Sequence, residues 1–183
     1  MMYSFQLKGV GLVVGLGLIL WHVLALTPAA RLRERLPQFP RSRMAGLVLL
    51  ALVAAWSLYL VLTMDLGEFS GMRRVMALGV VVLAALSAIY VPEFLAVRAL
   101  GMLALLASEP VLEAAFLRPE LTRLLIVALA YVWIFLGLFW VGLPWLLRDQ
   151  IGWATASEGR FRLLAILGLA YGVAVTACAI FFW

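Results

Sequence analysis

Long charge-free blocks alternate with short polar segments along this chain, and the pattern predicts an α-helical membrane protein. The blocks cover residues 9–30, 44–64, 75–91, 124–147 and 163–183. A helix needs about 20 residues to cross a hydrocarbon core of roughly 30 Å, and every block except 75–91 reaches that length. Regular alternation of polar and apolar residues is absent from the sequence, which argues against a transmembrane barrel.

The segment 92–123 is the hardest to place, because charges interrupt its apolar residues. Residues 94–108 would make about 22 Å of helix, enough to cross the bilayer if Arg98 extends its side chain to the cytoplasmic surface. The preferred prediction is an all-α bundle of six spans in one domain over 1–183. The alternative is five spans, with 94–108 as a re-entrant or surface helix. The predicted spans lie at about 9–30, 44–64, 75–91, 94–108, 121–147 and 163–183.

Three prolines guide the placement of helix ends. Pro110 suits the first position of a short amphipathic helix that follows Ser108, and Pro119 would open the long span that begins near Leu121. At the other end of that span, Gly142 and Pro144 are expected to bend its last turns.

Composition and charge support a lipid environment and suggest an orientation. Hydrophobic residues make up 67% of the chain and charged residues only 13%, against roughly a quarter in soluble domains. Thirteen of the fourteen basic residues are arginine, and five lie between 31 and 43. That loop is therefore predicted to be cytoplasmic in a multi-pass protein of the inner cell membrane, with the N-terminus outside. The first block lacks the flanks of a signal peptide and is expected to remain as an anchor.

Candidate polar residues fall into two groups. Arg98 and Glu109, eleven positions apart, would lie within roughly 20° of one helix face, and Glu113 would extend that stripe. Such a stripe could line a proton-coupled site, although both glutamates could equally solvate an outer loop. The second group is a predicted cytoplasmic cluster, formed if the spans that carry its members are neighbours. Its members are Glu93, Arg98, Arg148 and Asp149.

His22 is the only histidine, and its depth in the first span raises the question of a haem or pigment ligand, a proton site or a metal ligand. A protein metal site needs three or four ligands, and no other candidate ligand has suitable spacing. We therefore favour a histidine that is hydrogen-bonded inside the bundle. No cofactor and no metal is predicted, and the single Cys178 is expected to be a packing residue.

Gly11 and Gly15 stand four positions apart in the apolar string GLVVGLG. This spacing of small residues lets two membrane helices approach closely. The pair is predicted to pack another helix, either within the bundle or in another subunit.

No nucleotide-binding, zinc or nucleophile motif is visible in the sequence. The preferred functional prediction is a non-catalytic membrane protein, a small subunit or assembly partner of a larger inner-membrane complex. Its partners would be the bilayer and either other membrane subunits or a second copy, with no nucleic acid. The alternative is a small proton-linked transporter or permease that uses the polar segment 92–123. A weaker alternative is a lipid- or isoprenoid-modifying membrane enzyme, a class that normally shows clustered histidines or aspartates.

Overall fold

The computed structural model describes residues 6–27 and 29–183, without the side chains of 29 and 30. The N-terminus, predicted to lie outside the cell, is not among these residues. All regular elements in the described ranges are helical, which confirms the all-α prediction. The α-helices are α1 (Leu7–Leu26), α2 (Ala29–Arg35), α3 (Arg43–Thr63), α4 (Arg73–Tyr90), α5 (Leu95–Ala115), α6 (Leu124–Gly142), α7 (Trp145–Thr155) and α8 (Glu158–Phe181). Short 3₁₀ turns cover Leu36–Arg41, Gly67–Met72 and Leu121–Arg123.

Six of the described helices are long and apolar enough to cross a membrane, which confirms the preference for six spans. They are α1, α3, α4 with the turn before it, α5, α6 with the turn before it, and α8. The remaining helices, α2 and α7, are too short to cross and lie in the connections.

The structure corrects the interpretation of Pro110. Helix α5 continues without a break from Leu95 to Ala115, so Pro110 lies inside it and begins no separate helix. Its 21 residues make about 30 Å of helix, long enough to span, whereas the predicted segment 94–108 was short. An interior proline costs about 3 kcal/mol in water, but membrane helices tolerate it because neighbouring groups satisfy the freed carbonyl.

Two further span ends differ from the sequence prediction. Helix α1 ends at Leu26 and α2 starts at Ala29, so the predicted span 9–30 comprises parts of two helices. Helix α6 ends at Gly142 instead of bending on to 147. Pro144 is the N-cap of α7, because a proline that cannot continue one helix readily begins the next.

Helix α5 occupies the centre of the bundle, between α3 and α6. Helices α1 and α8 form the most extensive pair and run antiparallel beside this core. Helix α4 lies at the edge and packs chiefly against α3. The connections alternate between two sides: the arginine-rich face (residues 27–43, 91–98 and 143–162) and the opposite face (residues 6–8, 64–74 and 116–123 with Trp183).

Glycines make the close helix crossings possible. A Cβ atom on Gly101 of α5 would lie 2.8 Å from the carbonyl oxygen of Gly137 in α6, and the reverse distance is the same. A Cβ atom on Gly46 of α3 would lie 2.9 Å from the backbone nitrogen of Ala96 in α5. These separations are below ordinary van der Waals contact, so only glycine lets the backbones approach this closely.

Arginine side chains fasten the carboxyl ends of helices to their neighbours. The last carbonyls of a helix lack partners within the helix, and a cation is favourable there. The bonds run from Arg73 to Leu62 and Met64, from Arg98 to Val141, from Arg123 to Ala115, from Arg160 to Trp153 and from Arg33 to Thr155. A guanidinium offers five donors in a planar fork, which suits this use better than a lysine ammonium does.

Candidate functional site

Two cavities lie near the two ends of α5. The arginine cleft, on the arginine-rich face, has a volume of about 500 Å³. The glutamate cavity, toward the opposite face, has a volume of about 580 Å³. The arginine cleft is lined by Arg41, Pro92, Glu93, Phe94 and Arg148. The glutamate cavity is lined by Leu105, Ser108, Glu109, Leu112, Glu113, Phe116 and Ile134.

The arginine cleft brings together most of the predicted cytoplasmic cluster. Glu93 comes from the connection between α4 and α5, and Arg148 comes from α7, which packs on the 3₁₀ turn that carries Arg41. Asp149 forms an ion pair of 2.8 Å with Arg148, and both side chains are about half exposed. Exposed pairs of this kind contribute about 0–1 kcal/mol, so the pair orients Arg148 more than it stabilises the fold.

Arg41 is a member of the arginine cleft that sequence reasoning did not single out. It is one of five arginines of similar character between 31 and 43, so nothing in the sequence distinguished it from the others. The backbone of Phe94, at the mouth of the cleft, is left-handed with φ 55°. A residue with a Cβ atom is disfavoured there by about 1–2 kcal/mol, and such positions are frequent near functional sites.

Arg98 does not join its predicted partners in the cleft. Its Nη1 donates to the carbonyl oxygen of Val141 at 2.9 Å, next to the end of α6. Its Nε is buried and has no acceptor among the described residues. Arg98 therefore fastens the start of α5 to the end of α6, and it contacts an uncharged carbonyl that has no signature in the sequence.

Glu109 and Glu113 lie one turn apart on α5 and share the glutamate cavity with Ile134 of α6. Glu109 is exposed and Glu113 is partly buried. Beside them lies the buried Ser108, whose hydroxyl donates a hydrogen bond of 2.7 Å to the carbonyl oxygen of Ala104 in the same helix. The cavity thus concentrates two carboxylates near the opposite face.

Arg98 and the two glutamates lie beside α6, near Val141 and Ile134 respectively, but they do not meet. Residues 99–107 of α5 between them are all apolar and make about 14 Å of helix. In this interval the close crossing of Gly101 and Gly137 brings the two backbones together. The two cavities are therefore separate polar regions on opposite sides of the bundle.

His22 packs inside the bundle, in line with the interpretation favoured from the sequence. Its Nδ1 lies 2.7 Å from the carbonyl oxygen of Leu18, one turn earlier in α1. Its ring fills the space beside Gly168 of α8, where a Cβ atom would collide with it. Within residues 6–27 and 29–183, no group of three histidine, cysteine or acidic side chains is placed to hold a metal ion.

Gly11 and Gly15 face α8, within the same chain. A Cβ atom on Gly11 would collide with the Trp183 ring, and one on Gly15 would lie 2.9 Å from the backbone nitrogen of Thr176. Gly172 completes this crossing from the side of α8, with its added Cβ atom 3.0 Å from the backbone of α1. The small-residue spacing of α1 thus serves intramolecular packing.

The charges at the arginine cleft are balanced, since Arg41 and Arg148 are matched by Glu93 and by the Asp149 that pairs with Arg148. The glutamate cavity is suited to a cation or a hydrogen-bond donor. Comparison with known proteins gave no match among protein-family models, curated proteins or solved structures.

Proposed function

We propose that this protein is a non-catalytic subunit of a larger inner-membrane complex, and that α4 is the helix through which it binds its partner. The observation that carries the proposal is that α4 contains no buried residue, although with its preceding turn it is long enough to span. Every other spanning helix has at least three buried residues among those described.

Helix α4 contacts the rest of the bundle through a small surface. Ala84 and Ala88 contact the buried cluster around Leu50 of α3, while bulky side chains such as Leu78 and Ile89 are about two-thirds exposed. Lipid tails are as apolar as leucine, so this exposure costs little in a bilayer and does not by itself require a partner.

Gly79 is the feature of α4 that favours a helix over lipid as its neighbour. A Cβ atom on Gly79 would meet no atom within 4 Å, so the glycine leaves an open notch among the valines and leucines of the helix. Small residues at membrane helix interfaces let a second backbone approach closely, whereas contact with fluid lipid needs no such notch. The partner that fits is an apolar transmembrane helix of another chain.

A proton-linked permease receives less support from the same structure. Such a protein would use a polar element near the middle of the membrane, but α5 is continuous and the two polar cavities are separated by apolar residues 99–107.

The proposal is tested by photo-crosslinking in native membranes. A photoreactive residue at Val82 or Leu86 of α4 should give a discrete product with a second, different chain, and the crosslinked segment should map to an apolar helix. The same residue at Ile166 or Leu167, on the exposed face of α8, is the matched control and should give no discrete product.

The substitution Gly79→Leu should abolish the product by filling the notch. The matched control is Gly142→Leu, since Gly142 of α6 also has no atom within 4 Å of an added Cβ atom, and the product should remain. A product of twice the mass of this chain, or equal products from α4 and α8, would contradict the proposal.

We infer that the arginine-rich face lies in the cytoplasm. It carries nine of the fourteen basic residues and four of the nine acidic ones, whereas the opposite face carries five basic and three acidic residues, and basic residues concentrate on the cytoplasmic side of membrane proteins. Cysteines placed between 31 and 43, after replacement of Cys178, should be protected from impermeant reagents in intact cells. Labelling from outside would show that residues 31–43 face the exterior, which contradicts the inferred orientation.

A further inference from the structure

A large apolar groove lies between α1 and α3, with α5 as its floor and α6 at its end. Its volume is about 760 Å³, and it is unconnected with the α4 surface proposed above for a protein partner. We name it the tryptophan groove after Trp56 and Trp133, which line it. Helix α1 lines it from Gln6 to Leu18, with Gly9 and Gly17 between them.

The shape of the groove comes from residues that lack bulk. Gly9 and Gly17 of α1 lie two turns apart, and a Cβ atom on either would meet no atom within 4 Å. These glycines differ from Gly11 and Gly15, which contact α8 on another side of the same helix. Helix α1 therefore carries two glycine faces, one filled by α8 and one left open.

The length of the groove distinguishes between possible occupants. Along α1 it extends from Gln6 to Leu18, which is about 18 Å of helix. A transmembrane helix of a partner would need a groove along the whole hydrocarbon core of about 30 Å, whereas one leaflet contributes about half of that thickness. The groove thus matches the depth of a single leaflet, the depth to which one acyl chain reaches.

A polar cavity adjoins the groove at its outer end. It has a volume of about 210 Å³, and Gln6 lines both spaces. Lys8 and Arg118 contribute two positive charges to this cavity, and Glu120 contributes one negative charge. Oε2 of Glu120 is buried and accepts no hydrogen bond within the described residues, so it is available to a donor of a ligand.

We propose that the tryptophan groove and its adjoining polar cavity form a binding site for an anionic phospholipid of the leaflet on the opposite face. One acyl chain lies in the groove against Trp56 and Trp133. The phosphate contacts Lys8 and Arg118, and a headgroup hydroxyl donates to Glu120. The net charge of the cavity, +1, complements the single negative charge of such a lipid.

The test uses the whole protein in phosphatidylcholine vesicles that contain increasing amounts of phosphatidylglycerol brominated on its acyl chains. Bromine quenches tryptophan fluorescence on contact, and we expect a saturable component of quenching above the background from bulk lipid. The double variant Trp56→Phe, Trp133→Phe should lose this component. Brominated phosphatidylcholine should give the background alone.

Two sets of variants separate the groove from the headgroup cavity. Gly17→Leu, which projects into the groove without touching the bundle, should remove the saturable component. Lys8→Gln and Arg118→Gln should each raise the half-saturating fraction of phosphatidylglycerol about fivefold, the effect of one basic residue at an anionic surface. Gly152→Leu, at an open glycine of α7 on the arginine-rich face, is the matched control and should behave as the wild type.

Each result bears on the proposal. Saturable quenching that survives Gly17→Leu would show that the acyl chain does not occupy the groove and would overturn it. Equal saturation by phosphatidylcholine, or half-saturation unmoved by both charge variants, would overturn the assignment of an anionic headgroup.

Discussion

Helices α4 and α5 have similar lengths and are both largely apolar, yet they occupy opposite environments in the bundle. Nine residues of α5 are buried and none of α4 is. Most of the buried residues of α5 are small, such as Ala96, Ala99 and Gly101, whereas α4 presents bulky valines and leucines outward. Lipid solvates a leucine as well as a protein interior does. Close backbone packing, and not hydropathy, therefore determines which helix lies at the centre of this bundle.

The test with the largest expected effect replaces one glycine by alanine in each of the two helices. Gly101→Ala should lower the free energy of unfolding in detergent by about 2 kcal/mol, because the new methyl group collides with a backbone carbonyl that cannot move aside. Gly79→Ala in α4 should leave stability unchanged or raise it by about 0.5–1 kcal/mol, since its Cβ atom meets open space. Equal effects at the two positions would refute the distinction.

A second test compares the arginines that fasten the two helices. Arg98→Ala in α5 should cost about 2 kcal/mol, because it leaves the carbonyl of Val141 without its charged donor in a partly buried site. Arg73→Ala at the start of α4 should cost less, about 1 kcal/mol, since water can replace its exposed bond to Leu62 and only its bond to Met64 is partly buried. Arg98→Lys should recover only part of the stability lost in Arg98→Ala, since a lysine ammonium lacks the planar fork of donors of a guanidinium. Unfolding in detergent measures all three, and a larger loss at Arg73 would contradict this ranking.

The test with the smallest expected effect concerns the turns beside the two helices. After α5, Leu117 has φ 54°, whereas the same left-handed conformation before α4 is taken by Gly67 with φ 53°. Leu117→Gly should therefore raise the free energy of unfolding by about 1 kcal/mol, and Gly67→Ala should lower it by a similar amount. Thermal unfolding in detergent would show whether the two shifts have opposite signs. Shifts of the same sign would show that this strain is relieved elsewhere.

Charge-free blocks predicted five of the six spans, and the length of segment 94–108 favoured the sixth, but the ends of the helices were not predicted. Pro110 was interpreted as a helix start because the rules for proline come from helices in water, and α5 instead continues through it. At Pro144 the aqueous rule was closer to the outcome, because the helix does end nearby and α7 begins. The difference is that Pro110 lies within a spanning helix, where a break would leave backbone groups unsatisfied in lipid, whereas Pro144 lies in a connection on the arginine-rich face.

A candidate site could be predicted only where residues of opposite charge were expected at the same side of the membrane. Glu93 and Arg148 were grouped as an acid and a base at the same membrane side, and they line one cleft. The partner of Arg98 could not be predicted, since a backbone carbonyl is present at every position. The crossing of Gly101 and Gly137 was also missed, because neither glycine has a second glycine four positions away in its span and the close contact forms only between helices.

The antiparallel pairing of α1 with α8 has a consequence for how the chain is assembled. Helix α1 has its most extensive interface with α8, and four other spans lie between them in the chain, so the glycine face of α1 has no complement until those spans and α8 have been synthesised. During that interval this face of α1 lacks its protein neighbour. Final closure of the bundle is therefore a late, long-range event, and it is the stage at which an insertase or quality-control protease would find an incompletely packed helix to recognise.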